Sequence, residues 1–100
     1  FQIFAPTWPQ ATGPAFCEYV FMVHDATKKV QVELLFFESN NCCDTLTFYE
    51  GMFAGAVIKS FKGYLGYTST VVKSSSNTMR MQWDAKSGEN VRGWHVRVGS

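Results

Sequence analysis

The residues of this chain with reactive chemistry are few: Cys17, Cys42, Cys43, His24 and His95. The adjacent pair Cys42-Cys43 has three arrangements open to it. The two form a vicinal disulfide, one of them pairs with Cys17, or both remain thiols. An oxidising compartment favours a bond. Adjacent cysteines need an unusual backbone, which counts against the vicinal form. With no other partner in the chain, the vicinal bond and a bond to Cys17 rank level. Three is an odd count, so at least one thiol is free or paired outside the chain. A catalytic thiol has the least support, because no Cys–His pair has recognisable spacing. No C-x-x-C spacing for zinc occurs. His24 borders a turn and His95 stands on the polar side of a strand, so both read as surface residues without a proton-transfer partner. There is no nucleophile with its base and no phosphate-binding loop, and the expectation is a protein that is not an enzyme.

The elements that carry these residues repeat with a period of two. Val30, Val32, Leu34 and Phe36 alternate with Gln31, Glu33, Leu35 and Phe37. Met79, Met81 and Trp83 alternate with Thr78, Arg80 and Gln82, and Trp94, Val96 and Val98 alternate with Gly93, His95 and Arg97. Side chains two apart share one face of a strand, so these stretches read as half-buried strands. Tyr19 to Val23, Leu46 with Phe48, Val57 to Phe61 and Thr70 to Lys73 add further strands. Turn signals separate them at Asp25 to Lys28, Ser39 to Asn41, Glu50-Gly51, Gly63 to Gly66 and Lys86 to Asn90. No helical period of useful length occurs. Phe1 to Phe16, with Pro6, Pro9 and Pro14, lacks alternation and reads as an extended segment along a sheet edge. The sum is one all-β domain over residues 1–100, an antiparallel two-sheet β-sandwich. Leu34, Phe36, Leu46, Phe48, Met81 and Trp94 should lie between the sheets.

Composition agrees. The chain of 100 residues is 46% hydrophobic and 16% aromatic, which excludes disorder. The net charge is +1 with no run of like charge, so no nucleic-acid or membrane-surface partner is indicated. No apolar stretch approaches the ~20 residues of a membrane span. No signal peptide is visible, since Phe1 opens straight into domain-like sequence, so the expectation for a secreted protein is a mature form or an excised domain. Met52, Phe53, Tyr64, Leu65 and Tyr67 form an aromatic stretch punctuated by glycine. They read either as an exposed contact loop or, more strongly, as core beneath a long connection.

Four landmarks in order carry a resemblance. They are Ile3 to Pro9 ahead of Cys17 to Phe21; the strand Val30 to Phe37 ending at Glu38; Cys43 to Gly51; and Ser75 to Met79 with Trp83-Asp84 and Arg92-Gly93-Trp94. Together they resemble the CUB domain, and the doubled Cys42-Cys43 looks most like CUB domains of nematode secreted proteins that sit beside C-type lectin domains. The resemblance implies a jelly-roll sandwich in a larger secreted, extracellular protein. It implies that Cys17 matches a family cysteine whose partner lies upstream of Phe1. The family's second disulfide has no counterpart between Ala54 and Gly66.

The resemblance also implies a calcium site. Glu38, Asp44 and Asp84 match the acidic trio of calcium-binding members. Ca²⁺ requires several hard oxygen ligands, and three carboxylates gathered at one end of a sandwich would repel without a cation. Ser87, Asn90 or loop carbonyls would complete the shell. The plainer alternative makes Asp44 a turn residue and Glu38 and Asp84 solvated loop residues. The expected function is an extracellular module that binds protein or glycan, with Ca²⁺ as its cofactor. The alternative is a spacer that positions a neighbouring lectin-type domain.

Overall fold

The computed structural model describes residues 1–6, 8, 14–53, 55–86 and 91–100. Eight strands follow in chain order: β1 (Gln2–Phe4), β2 (Ala15–Met22), β3 (Gln31–Glu38), β4 (Thr45–Glu50), β5 (Val57–Phe61), β6 (Tyr64–Lys73), β7 (Thr78–Ala85) and β8 (Gly93–Gly99). They form two antiparallel sheets, one in the order β1-β8-β3-β6 and one in the order β2-β7-β4-β5. No helix occurs among the described residues. The period-two pattern explains this choice. A strand with one apolar face needs a second sheet to bury it, and the opposite face stays polar.

The core lies between the sheets. Val32, Leu34, Phe37, Trp94 and Val96 of the first sheet meet Met79, Met81, Trp83, Leu46 and Phe48 of the second, all fully buried. Fully burying such side chains is worth roughly 1.5–3 kcal/mol each before chain entropy is counted. The β4–β5 turn depends on a bare Cα. A Cβ on Gly55 would collide with the carbonyl oxygen of Glu50. Any side chain there would push the two strands apart.

Phe36 departs from expectation. It is fully buried, yet it does not join the cluster between the sheets. A register shift between Leu34 and Phe36 explains the difference. An irregularity of this kind reverses the alternation, so Leu34 and Phe37 point inward while Phe36 faces outward. There it belongs to a row across the first sheet, Phe4–His95–Phe36–Tyr67, in which each is the register partner of the next. Phe4 stacks on the His95 ring at 4.2 Å between centroids. Trp8 and Tyr67 pack edge-on to Phe36 at 4.9 and 5.0 Å, and the Arg92 guanidinium lies 4.6 Å over its ring. His95 is therefore no free surface residue: its Nε2 lies 2.8 Å from Gln2 Oε1. The Phe1 to Phe16 segment contributes β1, an edge strand as expected, and the first residues of β2.

Two outcomes follow. Leu46→Ala should lower stability by about 2–5 kcal/mol through lost burial and a residual cavity, read as a lower denaturant midpoint at unchanged slope. An unchanged midpoint would place Leu46 outside the core. Burial holds the His95 imidazole below its ordinary range, so the folded state favours the neutral ring. Stability held above the unfolded value of ~6.5 should fall as pH drops through that value toward the lower folded one. The melting temperature should decline between neutral pH and mild acid, and His95→Gln should flatten that decline. Superimposable pH profiles would contradict it.

Candidate functional site

The β3–β4 turn folds around Asn40. Its carbonyl oxygen accepts the N–H groups of Cys43 at 3.2 Å and Asp44 at 3.1 Å, and its side-chain oxygen accepts that of Cys42 at 3.0 Å. Asn favours such turns because its side chain imitates a backbone acceptor. The Cys42–Cys43 vicinal disulfide lies inside this turn, and Cys17 is a free thiol. Of the arrangements open to the three cysteines, the structure contains the first. Cys17 faces the core from β2 beside Tyr19. Burial first, and the Cys17 neighbour second, push the Tyr19 hydroxyl up to about 12.

Asp44 follows directly and is fully buried. Its Oδ2 accepts the Asn40 N–H at 3.1 Å and its Oδ1 accepts the Lys86 N–H at 2.8 Å. A buried carboxylate is tolerable only when such donors replace water. The first bond closes the β3–β4 turn and the second ties it to the segment after β7. Ser39 adds a second tie: its Oγ accepts the Gly63 N–H at 2.8 Å and contacts the Asp44 carbonyl oxygen at 3.3 Å.

Glu38 ends β3 on the same end of the sandwich. Its Oε1 accepts the Arg92 N–H at 2.7 Å, and its Oε2 lies 3.5 Å from the Arg92 guanidinium. Asp84 occupies that end too, but on another face. In β7 the buried residues are Met79, Met81, Trp83 and Ala85. Asp84 therefore faces outward with its register partner Thr45 and pairs with the Lys86 ammonium at 3.6 Å. The structure brings Glu38 and Asp44 to one end and turns Asp84 to the outer side of the sheet. Among the described residues, no three His, Cys, Asp or Glu side chains cluster to hold a metal ion. The oxygens of Glu38 and Asp44 fit Ca²⁺ in kind, since it takes carboxylates and carbonyls. Ser87 and Asn90 lie outside the described residues.

One feature of this end was underrated in the sequence. Tyr64, the register partner of Glu38, is 68% exposed, and Leu65 and Tyr67 are 46% and 82% exposed. They belong to β6, not to a core beneath a connection. Met52 and Phe53, also exposed, sit in the β4–β5 turn at the far end. The continuous stretch read from the sequence is thus two separate surfaces. The glycines around Tyr64 were the only signal, and they fit a turn as well as an exposed strand start.

Among solved structures, the chain resembles the CUB1-EGF-CUB2 domain of human MASP-1/3, with TM-score 0.85, 14% identity, and coverage of 98% of this chain and 40% of that one. It resembles the CUB1-EGF-CUB2 domains of rat MASP-1 with TM-score 0.80, 17% identity, and coverage of 98% and 38%. It also resembles the MASP-1 CUB2 domain bound to Ca²⁺, with TM-score 0.74, 15% identity, and coverage of 99% and 90%. The chain thus spans well under half of the first two. At these identities the likeness establishes the fold. Curated proteins give no significant sequence match. The family model for the CUB domain matches residues 1–98, and the chain belongs to the CUB domain family.

Proposed function

We propose that this domain is an extracellular protein-binding module whose working end carries Asp44, Glu38 and Tyr64. The observation that carries the reading is the exposure of Tyr64, Leu65 and Tyr67 beside that end. Large aromatic side chains left in water are costly to display and dominate binding where they meet a partner. The Cys42–Cys43 disulfide supports an oxidising, secreted setting. A lectin-type neighbour, as in nematode secreted proteins, is the parent architecture that the sequence resemblance implies.

Ca²⁺ is the cofactor of this reading. The Ca²⁺-bound MASP-1 CUB2 domain shares the fold, and Glu38 and Asp44 are the carboxylates that would hold the ion here. The ion would supply positive charge that fixes the loops of this end. Arg92 already neutralises Glu38, so it competes with any cation.

Two measurements test the reading. Excess Ca²⁺ should raise the melting temperature by mass action relative to chelator, equivalent to about 2.7 kcal/mol at a hundredfold excess over Kd. Glu38→Gln should abolish the shift and Arg92→Gln should enlarge it. Equal melting with Ca²⁺ and chelator in all three proteins would remove calcium from the account. In a screen against secreted proteins, the parent should bind a partner that Tyr64→Ala/Tyr67→Ala loses while melting normally. Binding untouched by that double variant, or no partner at all, would favour the spacer reading.

A further inference from the structure

Lysines without acidic partners gather at the opposite end of the sandwich. Four of the nine basic residues have acidic partners: Arg80 with Glu18, Lys86 with Asp84, Arg92 with Glu38 and Arg97 with Glu33. Lys28, Lys29, Lys59, Lys62 and Lys73 have no acidic partner among the described residues. All five are exposed. Four of these five line two clefts that share Lys73. One cleft, of about 380 Å³, is lined by Thr27, Lys28, Lys29, Gln31, Lys73 and Ser100. The other runs between β5 and β6 past Lys59 and Lys73. The β2–β3 turn supplies Lys28 and Lys29, and Lys73 is the register partner of Gln31 at the start of β3. Folding thus gathers lysines from three separate parts of the sequence.

Unpaired ammonium groups in a row repel one another, and an anion relieves that repulsion. Asp25, in the same turn as Lys28, is occupied by the Thr27 N–H at 2.9 Å and the Thr27 hydroxyl at 2.6 Å. Between the lysines stand hydroxyl and amide groups, Thr27 and Gln31 in one cleft and Thr70 in the other. No aromatic residue lines either cleft. Single-stranded nucleic acid is held by base stacking on aromatic side chains, and a membrane-surface site inserts apolar or aromatic groups. No aromatic platform lines this track, and no amphipathic helix occurs among the described residues, the apolar Ile58, Val71 and Val72 of the second cleft being strand side chains.

We propose that Lys28, Lys29, Lys59 and Lys73 form a binding track for a sulfated glycan chain. Sulfate groups pair with the ammonium groups, and the sugar hydroxyls meet Thr27, Gln31 and Thr70. The choice of glycan rests on the extracellular reading above. The track itself lies at the other end of β3 from Asp44, so either can fail without the other.

The test is retention of the whole chain on immobilised heparin in a salt gradient. Two double variants lose the same charge: Lys28→Gln/Lys73→Gln on the track, and Lys62→Gln/Lys86→Gln off it. Retention on heparin, weak retention on desulfated heparin, and early elution of the track variant alone are expected. The slope of log affinity against log salt should fall by about 2 for the track variant, about 1 per lysine removed. Melting curves matching the parent keep both variants interpretable. Co-elution of the two variants, or no retention of the parent, would overturn the proposal. So would tighter binding to phosphatidylserine vesicles or to a single-stranded oligonucleotide than to a heparin oligosaccharide.

Discussion

The carboxylate of Asp44 is fully buried, and the geometry of its end of the sandwich depends on satisfying it. An ionised group out of water is stable only with donors in place of solvent. Asn40 and Lys86 supply them through backbone N–H groups, so no side-chain substitution at those positions need remove them. The consequence is geometric. The turn between β3 and β4 and the segment after β7 each run between the two sheets, and this one residue bonds one to the other. Glu38 and Arg92 repeat the coupling within the first sheet, where β3 meets the start of β8. The Cys42–Cys43 bond closes the turn between the two acids.

The two faces of the first sheet obey different rules. Inside, alternation packs Leu34, Phe37 and Val96 against the second sheet. Outside, the irregularity in β3 delivers one further aromatic ring, Phe36, which the surface covers with Trp8, Tyr67 and Arg92. Aromatic neighbours in register across strands add to sheet stability. The row therefore braces the outer side of a sheet whose edge strand β1 has only three residues.

Strand identity was legible because strict alternation is hard to mistake over six or more residues, as from Val30 or from Thr78. Leu46, Phe48, Met81 and Trp94 followed from it. The reversal at Phe36 was not legible, since the sequence Leu34-Leu35-Phe36-Phe37 is apolar at every position and has no polar marker of register. Strand β6 was seen only from Thr70, because Tyr64 to Ser69 face solvent too often to leave a two-residue period. The acidic residues at one end were legible through neighbouring strand ends, but the outward turn of Asp84 follows from its register with Thr45. The lysine track left no trace, since Lys28 and Lys73 are brought together by the pairing of β3 with β6, and Lys59 by the packing of the two sheets.

Glu38, Asp44 and Asp84 lie at one end of the sandwich with Lys86 and Arg92 beside them, and the unpaired Lys28, Lys29 and Lys73 lie at the other. Backbone amide chemical shifts followed through a Ca²⁺ titration test most directly whether the Asp44 end is the working end. The account predicts shifts concentrated at Asn40, Asp44, Lys86 and Arg92, with Lys28, Lys29 and Lys73 unmoved. A spectrum unchanged by Ca²⁺, or changes centred on the lysine end, would contradict it.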